Sequence, residues 1–191
     1  MIPTEDNYID WILAGIRDYF GKLGYRVKTY SIGQVKERQC PIDRILAVGN
    51  KMVGLQFKRP YISKQGQLRY HKTQHQNNLI SKARWIFYCL PDFTDWKYQE
   101  VALFHCKFVP ELPENGKNNE PKRYYRWGSF AKALLECHEG VEIKDDNIVE
   151  KIIEDMHRDP KDVYLSLNKK SEELYLIRRD LEAEIMDYEP A

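Results

Sequence analysis

Long hydrophobic runs are absent from this 191-residue chain, as is any basic-then-apolar opening. Neither a membrane span nor a signal peptide is expected, and the chain reads as soluble and cytoplasmic. Cysteine is scarce: Cys40, Cys89, Cys106 and Cys137 lie far apart with no C-x-x-C spacing. That pattern argues against a zinc ribbon and against a disulfide framework. Cys89 and Cys106, set in apolar runs, read as buried thiols. No internal repeat or low-complexity segment occurs. Acid is missing from one long stretch. Between Arg44 and Pro91 the charged residues are Arg44, Lys51, Lys58, Arg59, Lys64, Arg69, Lys72, Lys82 and Arg84, without one Asp or Glu. The formal net charge of +1 conceals this asymmetry, because acids crowd the chain after His138. A surface of one sign attracts a polyanion and gains from counterion release, although such runs are ordinarily a solvated face. Arg59, Lys64, Arg69 and Lys72 are the candidate nucleic-acid contacts.

What is present centres on Cys40 to Pro60. Two apolar, β-prone runs, Ile42 to Val48 and Met52 to Phe57, flank Gly49-Asn50. A two-residue loop beginning with Gly is the signal of a type II′ hairpin. Such a loop sets the register, pairing Val48 with Lys51, Ala47 with Met52, Leu46 with Val53, Ile45 with Gly54 and Arg44 with Leu55. Asp43 then falls opposite Gln56, and alternation puts Lys58 on the same face, while Leu55 and Phe57 turn into a core. A carboxylate, a carboxamide and an ammonium thus gather beside Pro41, which stops the strand. Paired oxygen ligands of this kind suit a hard divalent cation, Mg²⁺ or Mn²⁺. Such a cation polarises a phosphoryl oxygen and lowers the pKa of its bound water, and a neighbouring Lys steadies the developing charge.

Pro41-Ile42-Asp43, a short hairpin and Gln56-Phe57-Lys58 together resemble the P-D…(D/E)-x-K signature of the restriction-endonuclease-like nuclease superfamily. The match spans roughly the first hundred residues. It departs from the pattern where Ile42 separates Pro41 from Asp43 and where Gln56 replaces the acid; some active members carry Gln there. The resemblance implies a mixed sheet between helices, a bound Mg²⁺ or Mn²⁺ and cleavage of DNA. It also implies that an acid on the first helix completes the metal site, which Glu5 matches in position; the alternative for Glu5 is a first-turn acid serving the helix dipole. Many members carry a Gln on the helix after the Lys motif that touches DNA phosphate, and of Gln74 and Gln76 the preferred match is Gln74. The Q-x-x-x-Y form of the bacterial recombination nucleases is absent.

The flanking elements fit around the hairpin. Thr4 reads as the N-cap of a helix whose apolar stripe is Tyr8, Ile9, Ile12, Leu13, Ile16 and Phe20. Tyr25 to Tyr30 alternates as a strand, Ser31 to Gln39 as a loop, and Pro60 to Tyr70 as a flexible basic loop. A helix is expected over Arg69 to Ala83, placing His71 and His75 one turn apart. A buried strand follows over Trp85 to Leu90, stopped by Pro91, and another over Val101 to Val109. Pro110 to Arg126 is a polar connector. Helices are expected at Trp127 to Cys137, Asn147 to His157 and Ser171 to Tyr188, the last with a stripe of Leu174, Leu176, Ile177, Leu181, Ile185 and Met186 that either caps the core or pairs with a second copy.

The expectation is an α/β protein with a restriction-endonuclease-like core, a mixed β-sheet flanked by helices, and a helical C-terminal extension. The divisions are a nuclease-like core over 1–110, a connector over 111–126 and the helical extension over 127–191, which packs on the core or mediates self-association. The expected activity is metal-dependent hydrolysis of DNA phosphodiester bonds, as an endonuclease, with Asp43, Gln56 and Glu5 as ligands and Lys58 as the charge stabiliser. Expected partners are DNA and a homodimer mate, and no membrane. The alternative is a nuclease-fold module of weakened or lost activity that binds nucleic acid or a protein.

Overall fold

The computed structural model describes residues 2–32, 39–71, 73–112, 121, 123–136, 138–144 and 146–186, with backbone alone for 146 and 174–186. Lys72, Cys137, most of the Ser31 to Gln39 segment, 113–120 of the connector and the side chains of the final stripe lie outside it.

Helix α1 (Glu5–Lys22) begins where expected. Thr4 Oγ1 accepts from Asn7 N at 3.3 Å while Asn7 Oδ1 accepts from Thr4 N at 2.9 Å, so two otherwise unpaired N–H groups are satisfied reciprocally. Its buried residues are Tyr8, Ile9, Ile12, Leu13, Ile16 and Phe20. Strands β1 (Val27–Ser31), β2 (Arg44–Val48) and β3 (Lys51–Phe57) form an antiparallel meander. The β2–β3 register runs from Val48↔Lys51 to Arg44↔Leu55, as the two-residue loop requires. Gly49 carries a φ of +57°, which a Cβ would strain and which a tight hairpin turn needs.

Pro60 to Tyr70 is not a loop. It folds as a small antiparallel hairpin, β4 (Pro60–Ile62) with β5 (Leu68–Tyr70), paired Pro60↔Tyr70, Tyr61↔Arg69 and Ile62↔Leu68. Because Arg69 and Tyr70 belong to that ladder, the next helix starts later than expected: α2 covers only Gln74–Ile80, capped by Thr73 Oγ1 accepting from Gln76 N at 3.2 Å. His71 therefore precedes the helix and shares no helical face with His75. Its ring stacks on Tyr61, with centroids 4.4 Å apart.

Strand β6 (Ile86–Pro91) runs parallel to β3 and is buried throughout. The expected strand over Val101 to Val109 is halved. Trp96–Val101 is a 3₁₀ turn, and only β7 (Cys106–Val109) joins β6, antiparallel. The physical reason is packing on α1: Leu103 approaches Gly15 so closely that a Cβ there would meet Leu103 Cβ at 2.9 Å, which draws this segment off the sheet.

Helix α3 (Trp127–Leu135), a two-residue strand β8 (Val141–Glu142) against β3, α4 (Asp146–Arg158) and α5 (Pro160–Met186) complete the chain. The result is an α/β protein with a mixed sheet, ordered β1-β2-β3-β6-β7, flanked by helices and ending in a helical C-terminal region. No helix among the described residues is long and apolar enough to cross a membrane.

Alternation divides the sheet into two faces. Leu46, Val48, Val53, Leu55, Phe57, Phe87 and Phe108 meet α1 and α3, with Trp127 and Phe130 inside that core. Ile45, Ala47, Met52, Ile86, Tyr88, Leu90 and Val109 meet Ile80, Trp85, Val149, Met156, Tyr164 and Leu167. The first half of α5 thus caps the core. Tyr164 donates to Leu79 O at 2.6 Å, and Trp85 Nε1 donates to Asn168 Oδ1 at 2.6 Å.

Candidate active site at the open end of the hairpin

The β2–β3 ladder ends at Arg44↔Leu55, and Asp43, in a bend just beyond it, donates from N to Leu55 O at 2.9 Å, sharing Leu55 with Arg44 as in a bulge. The expected Asp43–Gln56 backbone pairing is thus not made, but the Asp43 carboxylate still reaches the Gln56 side chain, which lies beside Tyr88. Asp43 Oδ2 accepts from Phe57 N at 2.6 Å and from Gln56 Nε2 at 2.8 Å. A carboxylate only accepts, so the Gln56 amide must offer it nitrogen rather than oxygen. The amide nitrogen also lies 3.4 Å from Phe57 O. Held this way, Gln56 turns its carbonyl Oε1 away from Asp43. Among the described residues that oxygen has no hydrogen-bond partner, and its side chain is 2 % exposed. Leaving such a group unsatisfied costs about 1–3 kcal/mol, so its presence asks for a reason.

Glu5 and Lys58 arrive from either side of the same strand end. Glu5, in the first turn of α1, accepts through Oε2 from Arg59 N at 3.0 Å. In extended chain the N–H groups of Phe57 and Arg59 point to one edge, about 6.6 Å apart, so the two carboxylates hang along the edge that β2 has vacated. Between them Lys58 N turns the other way and donates to Cys89 O at 3.1 Å. The Lys58 side chain is half-buried and shares the face of Gln56, and among the described residues no hydrogen bond or ion pair engages its ammonium.

The groups around this end are held in their neutral forms. Burial pushes the Tyr8 hydroxyl up to about 12 against the opposing pull of Arg59, and that hydroxyl donates to Phe93 O at 2.9 Å. Tyr70 is pushed up further, first by burial and then by Cys106 and Asp92, and donates to Pro91 O at 2.7 Å. Cys89 is raised by burial, by its hydrogen bond with Cys106 and by the charge of Asp43. A thiol so placed is neither nucleophile nor ligand, and Cys89 and Cys106 are free and buried, as expected. Tyr88 was not legible as a site residue. It pairs with Gln56 in the parallel ladder, and its hydroxyl is buried without a partner and raised by burial. In sequence it sits inside an apolar run, and only the β3–β6 register brings it beside Gln56.

The basic residues divide. Arg59 is exposed, its guanidinium 3.3 Å from Ile2 O. Lys64 is exposed in the β4–β5 turn, and Arg69, half-buried, donates to Gln67 Oε1 at 3.0 Å. Lys72 lies outside the described residues. Gln74 is exposed and donates to Asn78 Oδ1 at 2.9 Å within its own helix; no contact among the described residues brings it to Asp43. Lys51, in the same acid-free stretch, does not border the site: it is buried at the turn end of the hairpin, 3.7 Å from Glu142.

Among the described residues no three His, Cys, Asp or Glu side chains converge as a metal-binding group. A cation here would rest on Asp43, the Gln56 carbonyl and Glu5. The oxygen types fit a hard divalent cation, which takes carboxylate and amide oxygens and keeps several waters, but with Nε2 on Asp43 the carbonyl faces away, so sharing a cation with Asp43 requires the Gln56 amide to turn over. Comparison with known proteins adds no relative: no family model matches the chain, and neither curated proteins nor solved structures give a match.

Proposed function

We propose that this chain is a divalent-metal-dependent nuclease that hydrolyses DNA phosphodiester bonds internally, on a restriction-endonuclease-like core. The observation that carries the reading is the Gln56 clamp: an amide whose nitrogen is spent on Asp43 and whose buried carbonyl meets no donor among the described residues. The order of elements supports it, with a helix, three antiparallel strands, a second helix and a strand parallel to β3.

In this reading Asp43, Glu5 and, once its amide turns over to present Oε1, Gln56 would hold Mg²⁺ or Mn²⁺. The bound cation supplies Lewis-acid polarisation of the scissile phosphate and a water of lowered pKa. The chain does the rest. Phe57 N and Arg59 N orient the two carboxylates. Lys58, whose ammonium has no hydrogen bond or ion pair among the described residues, would stabilise charge on the attacking water and on the phosphoryl group. Arg59 and Lys64 draw the polyanion toward this end.

A second reading has its own observation. The Gln56 amide already satisfies Asp43 Oδ2 without a cation, as a module that binds nucleic acid but no longer cuts would do. One experiment decides between them: supercoiled plasmid and a labelled oligonucleotide incubated with Mn²⁺, beside Asp43→Ala and an EDTA control. Metal-dependent cutting absent from the variant supports the nuclease. Absence of cutting together with absence of Mn²⁺ binding by calorimetry favours the non-cutting module.

A further inference from the structure

The sheet carries a second set of polar side chains beyond the open end, on the same face. Phe108 and Tyr125 exchange two backbone hydrogen bonds of 2.9 Å, which adds the segment at Tyr124 to Arg126 along the outer edge of β7. Tyr125 is fastened inward, its ring against Phe87 and Phe130 and its hydroxyl donating to Glu139 Oε1 at 2.6 Å. Alternation then turns Tyr124 and Arg126 to the opposite side, where Lys107 also points.

Counting across the ladders gives two rows. Gln56 pairs with Tyr88 and Tyr88 with Val109, and the antiparallel bridge places Tyr124 opposite Val109. One residue along, Lys58 follows the Phe57↔Cys89 pair to lie beside Leu90, which pairs with Lys107, opposite Arg126. At roughly 4.8 Å per strand, Lys107 stands about 10 Å from Lys58, and Arg126 and Tyr124 about 14 Å from the open end. Tyr124 is 44 % exposed, with Lys107 Nζ 4.9 Å and Arg126 Cζ 5.7 Å from its ring centroid. Arg126 is steadied by Asp92 at 2.6 Å. An exposed ring on a doubly bonded edge, with two cations lying over it that a base would displace toward phosphate, has the makeup of a stacking platform for single-stranded nucleic acid, in which aromatic faces take bases and basic groups take phosphates.

We infer that a single strand is held at this sheet edge, with phosphate on Lys107 and Arg126 and a base stacked on Tyr124. The inference rests on the nuclease reading for the strand's role as substrate and makes single-stranded or frayed DNA the favoured one.

The test is fluorescence anisotropy in EDTA with labelled oligothymidylate and a duplex of equal length, using the full chain. Wild type is expected to hold the single strand more tightly than the duplex. Tyr124→Ala is expected to weaken single-strand binding about tenfold and leave duplex binding alone, while Tyr124→Phe keeps wild-type affinity because the ring is retained. Lys107→Ala is expected to flatten the salt dependence. Circular dichroism and melting establish that each variant is folded. Wild-type affinity in Tyr124→Ala, an equal loss in Tyr124→Phe, or a parallel loss for duplex overturns the platform. Any of these leaves plasmid cleavage by wild type, and its absence in Asp43→Ala, to speak for the active site. Conversely, Tyr124-dependent binding without any cleavage keeps the platform and removes the hydrolysis.

Discussion

The two ends of the β2–β3 hairpin each bury one polar side chain, Lys51 at the turn and Gln56 at the open end, and surround it differently. At the turn end Lys51 is 1 % exposed, yet β8 brings Glu142 opposite it, 3.7 Å away, and Asn50 Nδ2 donates to the same carboxylate at 3.1 Å. A buried cation there has a dedicated anion. At the open end Phe57 N and Gln56 Nε2 donate to Asp43, while among the described residues the Gln56 carbonyl meets no donor and the Lys58 ammonium no anion. Buried polar groups are ordinarily satisfied, and departures concentrate at sites with work to do. The turn end meets its buried charge with an ion pair, and the open end leaves the Gln56 carbonyl without a donor among the described residues.

The widest separation of the two ends is expected in cleavage. Asp43→Ala should lower the cutting rate about 100-fold or more. It should also cost about 1–3 kcal/mol in stability, because Phe57 N and Gln56 Nε2 lose their acceptor. Wild-type cutting by a folded Asp43→Ala protein would remove the site. Lys58→Ala should lower the rate to a similar degree while moving the melting temperature little, since its ammonium has no hydrogen bond or ion pair among the described residues. A large drop in melting temperature with full activity would place Lys58 with Lys51, as a structural cation.

Gln56→Glu joins the comparison from the other direction by making the open end depend on an ion. The new carboxylate would face Asp43 where the amide now sits at 2.8 Å, and two like charges so close raise the pKa of the pair. Without metal the variant should lose about 2 kcal/mol at pH 7. The sign follows from proton uptake: the folded state would bind a proton above the ordinary carboxylate range while the unfolded chain would not. Stability should therefore recover as pH falls toward that range and decline as pH rises through the raised value. Added Mg²⁺ should restore it at pH 7 and preserve or raise activity. A melting temperature indifferent to both Mg²⁺ and pH would deny Gln56 its place as a ligand.

These contrasts were legible in the sequence only where local chemistry decided the structure. Gly49-Asn50 set a register that brings the Asp43 carboxylate to the Gln56 side chain, and Thr4 set the start of α1 and hence the position of Glu5. The β4–β5 hairpin escaped because Pro60 to Tyr70 has no period-2 apolar pattern and each strand is only 3 residues long. The start of α2 was hidden for the same reason, since Arg69 and Tyr70 are claimed by that ladder. Val101 looked like strand but was taken by the packing of Leu103 on α1, a tertiary choice that no local period announces. Tyr88 and Lys107 become site-facing only through pairings between strands distant in sequence, and Lys51 reads as an exposed cation until β8 arrives beside it.

The smallest expected effect sits at the turn end. Glu142 is half-exposed, so its attraction for Lys51 is screened on one side by water, yet Lys51 itself has almost none. Removing the acid by Glu142→Ala leaves the ammonium buried without that partner and should cost about 1 kcal/mol, more than an exposed pair and less than a fully buried one. Lys51→Met removes the need for a partner altogether while keeping the stem that fills the space. It should be neutral or slightly stabilising, and Glu142→Ala should cost nothing further in that background. Neither change should touch cleavage. Thermal melts of the four proteins in the cycle check the coupling, and loss of cutting in Lys51→Met would show that the ends of the hairpin are not independent.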